Sequence, residues 1–165
     1  MNSIDFDFRG ETLTALPSGA LFWKRPGLLV VSDLHLGKSE RIARLGGALL
    51  PPYETRGTLD RLAADVDRLQ PATVLCLGDS IDDLVAGHSL LGDEVALIGR
   101  LQAGRRWLWL EGNHDPGPLN LGGEHLAEWV LGALTFRHIA AMESAPGEVS
   151  GHYHHKAKVR YTSRP

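Results

Sequence analysis

The chain has 165 residues, of which 43% are hydrophobic and 22% charged, and its formal net charge is −3 at pH 7. This length and composition are typical of one globular domain, which we expect to span residues 1–165. The net negative charge excludes a global positive field, so any polyanion has to be bound by a local group of cations. The sequence contains no apolar run of about 20 residues, which excludes an ordinary membrane-spanning helix.

The only cysteine and the first residues of the chain both indicate the cellular compartment of the protein. Cys76 lies in the apolar run TVLCL, and we interpret it as a small core residue. A single cysteine forms no disulfide within the chain, as is usual in a reducing compartment. The first ten residues, MNSIDFDFRG, lack the apolar stretch of a signal peptide. These features predict a cytoplasmic protein.

The first part of the chain predicts strands. Residues 5–24 alternate loosely between apolar and polar side chains and contain turn-forming glycine and proline, which is typical of short antiparallel strands. The continuous apolar run from Leu28 to Ser32 predicts a strand that is buried on both faces.

The middle of the chain alternates strands with helices. Apolar residues at steps of three and four predict a helix over residues 58–69, with Thr58 as its N-cap. A buried strand is predicted over residues 73–77, a second helix over 89–102 and a third buried strand over 106–110. This alternation predicts a βαβ layout.

After about residue 128 the pattern changes. The segments WVLGALTF, GEVSGHYH and KVRYT are short and are separated by glycines, with no helical pattern between them. They predict a second, mostly antiparallel sheet.

Polar clusters follow the three buried strands. They are Asp33-Leu34-His35, Gly78-Asp79-Ser80 and Gly112-Asn113-His114-Asp115. Ligands of such sheets bind at the carboxyl ends of the strands, so we expect these side chains to meet at one edge. The second sheet adds His138, His152 and His154.

The residue types in these clusters are those of a metal site. Alternate residues of an extended segment point to the same side, so Asp33 and His35 are predicted to bind one ion together, and His152 and His154 likewise. Carboxylate, amide and imidazole groups without a thiolate suit Mn²⁺, Fe or Zn²⁺ better than a structural, cysteine-rich zinc site. Two divalent ions would exceed the negative charge of Asp33 and Asp79, and the excess attracts phosphate.

The order of these motifs resembles that of the calcineurin-like metallophosphoesterase superfamily. The motifs are D-x-H, G-D, G-N-H-[DE], a lone histidine and G-H-x-H, and the resemblance covers residues from about 27 to 155. The flanking segments ALFWKRPGLLVVSDLHLGKSE, LCLGDS and WLWLEGNHDP are similar to those of the bacterial ligase-associated DNA damage response endonucleases (PdeM-like). The resemblance implies a four-layer αββα sandwich, with a mixed sheet and a second, mostly antiparallel sheet.

The resemblance also implies a role for each motif residue. The metal ligands would be Asp33, His35 and His154 at the first ion, Asn113, His138 and His152 at the second, and Asp79 between both. His114 would protonate the leaving oxygen or stabilise the transition state, and Asp115 would orient His114. The implied cofactors are two divalent metal ions, with Mn²⁺ expected first and Fe or Zn²⁺ as alternatives.

The function implied is hydrolysis of phosphate esters by a dinuclear metal-dependent phosphoesterase. The similarity of the flanking segments implies, more specifically, a phosphodiesterase or endonuclease that acts on DNA in repair, in association with a DNA ligase and a helicase. Three alternatives stay open: a phosphoesterase on nucleotides or phosphoproteins, a metal-bound interaction scaffold without turnover, and a zinc site that serves folding. The presence of His114 favours an enzyme, because scaffolds of this fold can lack this histidine.

Relatives of this kind usually continue through further strands after the last motif. Only eleven residues follow His154 here, so we expect a second sheet that is truncated at its C-terminal end. Its edge would then be exposed or paired with another subunit, which makes a homo-oligomer one expected assembly.

Other polar residues fit ordinary roles better. The GKS at residues 37–39 is not a phosphate-binding P-loop, because Ser32 stands where that loop needs a glycine. Three histidines outside the motifs are interpreted as ordinary surface or core residues: His88, His125 and His155. Asp82 and Asp83 either reach the site or form a solvated helix entry, and the helix entry is the favoured interpretation.

Two groups of cations flank the motifs. Lys38, Arg41 and Arg44 recur at helical spacing, and three further cations alternate along the last segment: Lys156, Lys158 and Arg160. The second group is either a track for a phosphate backbone or the charged protection of an edge strand.

Overall fold

The computed structural model describes residues 3–47, 53–143 and 146–154. Within these residues, seven strands form one mixed sheet and lie side by side in chain order. They are β1 (Ile4–Phe8), β2 (Glu11–Ala15), β3 (Leu21–Trp23), β4 (Leu28–Val31), β5 (Thr73–Cys76), β6 (Arg106–Leu110) and β7 (Glu124–Leu126).

Strand direction in this sheet follows from the connections. Strands β1 to β4 are antiparallel neighbours joined by short turns, as the sequence predicts. Between β1 and β2 the turn consists of Arg9 and Gly10, both with positive φ, as in the tight hairpin turns that match strand twist. Strands β4 to β7 are parallel. The carboxyl ends of β4, β5 and β6 therefore lie at one edge of the sheet.

Four helices are described: α1 (Lys38–Arg44), α2 (Glu54–Leu69), α3 (Leu84–His88) and α4 (Gly92–Gln102). Helix α2 begins four residues earlier than predicted, so Thr58 lies inside the helix and is not its cap. The helix predicted over residues 89–102 corresponds to α4, which begins three residues later than predicted. Its first turn is fixed by the Glu94 side chain, which accepts a hydrogen bond from the Leu91 N–H (2.8 Å).

The central strands β4, β5 and β6 of the large sheet are buried on both faces. One face packs on α2 and α4 through side chains such as Leu62, Ile98 and Trp109. The other face packs on a second sheet of β8 (Glu128–Leu131), β9 (Leu134–Arg137) and β10 (Glu148–Ser150). Cys76 is fully buried and burial raises the pKa of its thiol, which confirms a small core residue.

The second sheet confirms the predicted architecture of a large mixed sheet and a small one. Its strand pairing is more varied than predicted, because β8 and β9 are antiparallel whereas β9 and β10 are parallel. Strand β7 was not predicted, since its three residues are too few to show a period. The predicted segment KVRYT, the cations at 156, 158 and 160, and His155 lie outside the described residues.

None of the helices described here is both long and apolar enough to cross a membrane.

Candidate metal centre

The motif residues converge at the edge where the parallel strands end. Their possible ligand atoms form three groups, and within each group these atoms lie within 4.8 Å of one another. The groups are Asp33 with His35 and His154, Asp79 with His138 and His152, and His35 with Asp79 and His114. Asp79 and His35 each belong to two groups, so the three groups form one continuous centre.

The Asp33 carboxylate has one satisfied and one unsatisfied oxygen. Its Oδ2 accepts hydrogen bonds from the backbone N–H of His152 (3.1 Å) and from the Ser32 hydroxyl. Its Oδ1 is buried without a hydrogen-bond donor and lies 3.5 Å from Nε2 of His154. A buried carboxylate oxygen without a donor is costly to leave unpaired, and a cation at this position would satisfy it.

The tautomer of His138 is fixed by its surroundings. Its Nδ1 lies 2.7 Å from the carbonyl oxygen of Leu77, and because a carbonyl only accepts, Nδ1 carries the proton. In the neutral ring, Nε2 then presents a lone pair. This atom lies 3.2 Å from Oδ2 of Asp79 and 3.1 Å from Oδ1 of Asn113. Three lone-pair donors that face one another without a shared proton fit a divalent cation.

Close approach explains two glycines of the motifs. A Cβ atom on Gly78 would lie 2.6 Å from the imidazole ring of His138, and one on Gly112 would lie 2.2 Å from the backbone nitrogen of Asp79. Any other residue at these positions would push the ligand side chains apart.

The backbone at the centre departs from the predicted extended segments. Positive φ angles occur at five motif residues other than glycine: Asp33, His35, Asp79, His152 and His154. Asp33 and His35 share a group, whereas His152 and His154 belong to different groups, and whether these two histidines bind one ion together stays a prediction. Left-handed backbone at residues other than glycine is strained and is concentrated at functional sites.

His114 is held by both its backbone and its ring. Its N–H donates to Oδ1 of Asp79 (2.9 Å), and its Nδ1 lies 2.7 Å from the carbonyl oxygen of Asp82. The ring centre lies 5.0 Å from that of His35, edge to face. Nδ1 therefore carries the proton, and Nε2 is the ring nitrogen that remains for other contacts.

The predicted orientation of His114 by Asp115 does not take the form of a direct hydrogen bond within the described residues. One oxygen of the Asp115 carboxylate accepts the N–H groups of Asp79 (2.9 Å) and Gly112 (3.0 Å), and the other accepts those of Ser80 (2.7 Å) and Ile81 (3.2 Å). Burial raises the pKa of this carboxyl, and these N–H groups oppose the rise. Asp115 thus fixes the loop that carries Asp79.

Asp82 is the residue that the sequence analysis missed. It was interpreted as part of a solvated helix entry, but only 2% of its surface is exposed. One carboxylate oxygen lies 2.8 Å from Nδ1 of His35 and the other lies 3.2 Å from Arg41. Asp83, in contrast, does cap α3 by accepting the N–H of Ala86 (2.7 Å). The only sequence signal for Asp82 is its position three residues after Asp79.

The His35 imidazole is biased toward its neutral form. Burial lowers the pKa of His35 and outweighs the opposing charges of Asp82 and Asp79, while His114 and Lys38 lower the pKa further. Since only the neutral ring binds a metal ion, the shift favours metal binding.

Two other histidines lie away from these groups. His125 stacks on Trp109 with ring centres 6.5 Å apart, and His88 is exposed at the end of α3. Their placement agrees with the ordinary roles predicted for them.

Comparisons with known proteins agree with this centre. The family profile described as calcineurin-like phosphoesterase matches residues 27–162. The solved structure titled as Pseudomonas putida nuclease MPE has a similar fold, with a TM-score of 0.73 and 24% sequence identity over 93% of this chain and 74% of the other. No curated protein sequence matches the chain. The profile covers most of the chain, including every motif of the centre, and the protein therefore belongs to the calcineurin-like phosphoesterase family, as a metal-dependent hydrolase of phosphate esters.

Proposed function

We propose that the protein is a dinuclear metal-dependent phosphodiesterase that cleaves DNA. The observation that carries this proposal is that Asp79 shares one group of possible ligand atoms with His138 and His152 and another with His35. A carboxylate has two oxygens to share, so this residue suits a bridge between two cations.

The proposed ligands follow the groups in the centre. Asp33, His35 and His154 would hold one ion, and Asn113, His138 and His152 would hold the other. The ions, when bound, would polarise the phosphoryl oxygens and lower the pKa of a water molecule. Mn²⁺ is the proposed metal, because oxygen ligands and imidazoles without thiolates suit it well.

His114 is proposed as the acid that protonates the leaving oxygen. Its Nδ1 is occupied by the carbonyl oxygen of Asp82, so Nε2 is the atom that would deliver a proton. The bond from its N–H to Asp79 ties this ring to the proposed bridging ligand. Asp115 would support both groups indirectly, by holding the loop of Asp79.

DNA is proposed as the substrate on two grounds. The structural relative bears the name of a nuclease, and the flanking sequence resembles that of endonucleases of DNA repair. We propose accordingly that the protein acts in DNA repair in the cytoplasm, beside a DNA ligase and a helicase.

The test is hydrolysis of bis-p-nitrophenyl phosphate by metal-stripped protein that has been reloaded with Mn²⁺. His114→Ala should reduce turnover by about 10²- to 10⁴-fold, the usual contribution of an acid catalyst, and should keep the bound metal. His88→Ala is the matched control, because this histidine is exposed and lies outside the centre. Turnover by the wild type should be followed by assays on single-stranded and duplex DNA.

The outcomes separate the alternatives. Metal-loaded wild type without turnover would favour an interaction scaffold. Turnover of nucleotides or phosphopeptides without cleavage of DNA would move the substrate to one of those classes. Loss of metal from His114→Ala would contradict the role of this histidine as an acid that binds no metal.

A further inference from the structure

A pocket adjoins the proposed metal centre at Asp33. It has a volume of about 190 Å³ and lies between the turn that precedes β3, the end of β4 and the middle of α2. The polar residues that line it are Ser18, Ser32, Asp33, Thr58, Arg61 and Asp65, and apolar side chains of β4 and α2 complete the wall.

The pocket exists because β4 and its continuation extend beyond β3. Strand β3 begins at Leu21, which pairs with Val30, so the next residues have no strand neighbour on that side. On the other side, Val31 accepts the N–H of Leu77 and Asp33 donates to Gly78. Because backbone groups alternate between the two sides of a strand, the N–H and C=O of Ser32 point toward the pocket.

Arg61 supplies the cation of the pocket. It is exposed, and its guanidinium donates to the Thr58 hydroxyl (3.1 Å) within the same helix. That bond satisfies one of its five N–H donors, and the planar group is well suited to phosphate oxygens. Asp65, the acidic residue of the inner wall, is 7% exposed and is paired with Arg68 (2.7 Å). Its charge is therefore balanced without Arg61.

The lining favours a sugar–phosphate unit over a base. None of the described residues that line the pocket is aromatic, so the wall offers no surface on which a base would stack. Hydroxyl, backbone and guanidinium groups are the usual partners of the sugar–phosphate backbone, and they fix its position without reading its sequence.

We propose that this pocket binds the nucleotide unit next to the scissile phosphate, with Arg61 on the neighbouring phosphate. The inference rests on the proposed phosphodiesterase function, because a scissile phosphate at the metal centre places the next unit of the strand beside Asp33. It predicts that the enzyme prefers a substrate with a second phosphate, whatever the base.

Equilibrium binding tests the pocket without turnover. The Mn²⁺-loaded protein is titrated calorimetrically with thymidine 3′,5′-bisphosphate and with thymidine 5′-monophosphate. The wild type should bind the bisphosphate about tenfold more tightly, as one charged hydrogen-bonded contact allows. Arg61→Ala should lose this preference. Arg56→Ala removes the same charge from the same helix, but Arg56 is paired with Asp60 (2.9 Å) and does not line the pocket, so the preference should remain.

Equal affinity of the wild type for the two nucleotides would overturn the inference, as would a preference that survives in Arg61→Ala. An equal loss in Arg56→Ala would reduce the effect to overall charge and would also overturn it. Turnover of bis-p-nitrophenyl phosphate, which carries only one phosphate, reports separately on the proposed function. If the wild type fails this assay but prefers the bisphosphate, the result would support phosphate binding in the pocket and contradict the proposed phosphodiesterase activity.

Discussion

The Nδ1 atom of His35 lies 2.8 Å from a carboxylate oxygen of Asp82. The backbone oxygen of the same aspartate lies 2.7 Å from Nδ1 of His114. Asp82 thus places its carboxylate charge beside a proposed metal ligand and holds the ring of the proposed acid with its backbone oxygen.

Replacement of Asp82 by asparagine should weaken metal binding. The substitution keeps the carbonyl that holds His114 but removes the charge beside His35, and losing such a partner typically costs about 10- to 100-fold in metal affinity or activity. Titration of Mn²⁺ into the stripped protein measures this change. Asp83→Asn removes a nearby charge that does not contact His35 and serves as the control. An unchanged affinity in Asp82→Asn would contradict a role of this charge in metal binding.

Replacement of Asp115 by asparagine should destabilise the fold. An amide has one oxygen, so one of the two pairs of N–H groups now held by the carboxylate would face an NH₂ group. Two buried donors without an acceptor cost about 2–6 kcal/mol of the free energy of unfolding. Urea unfolding measures the loss, and Asp67→Asn, an exposed change on α2, should stay within about 0.5 kcal/mol. A similar small effect for Asp115→Asn would mean that the loop of Asp79 is held by other contacts.

The sequence predicts the positions of the site residues better than their contacts. Parallel strands bring their carboxyl ends to one edge, so the motifs after Val31, Cys76 and Leu110 had to be neighbours once the βαβ pattern was recognised. The contacts of Asp115 were not predictable in this way. They depend on the path of the Asp79 loop, and no local pattern records that path.

Backbone conformation is the second limit on predicting the site from the sequence. The i, i+2 rule assumes an extended chain, but Asp33, His35, His152 and His154 all have positive φ. The rule therefore does not apply to the last two histidines, which lie in different groups of ligand atoms. Non-glycine residues rarely adopt this conformation, so only the surrounding tertiary structure specifies it.

Lys38 should contribute to DNA binding more than its neighbours on α1. Its side chain is exposed, and its positive charge helps to lower the pKa of His35. Among the described residues Lys38 has no acidic partner. Arg44, by contrast, is bound by Glu40 and Asp83. Lys38→Ala should weaken binding of a single-stranded oligonucleotide and lower its salt dependence by about one counterion, as the loss of one phosphate contact does.

Fluorescence anisotropy over a series of salt concentrations measures this difference. Arg44→Ala should leave the salt dependence close to that of the wild type, because its charge is already neutralised by two carboxylates. Equal effects of the two substitutions would show that overall charge, and not the position of Lys38, governs binding.

Removal of metal should abolish hydrolysis but leave the fold in place. The proposed ligands lie in loops beyond the strand ends, whereas the two faces of the large sheet are buried by apolar side chains such as Leu29 and Leu75. Circular dichroism after chelation should show the same secondary structure and a cooperative thermal transition. The free energy of unfolding should fall by about 2.7 kcal/mol per site relative to protein with free metal at 100 times its dissociation constant, and the midpoint temperature should fall with it. A chelated protein that is unfolded would instead identify the histidines as a zinc site required for folding.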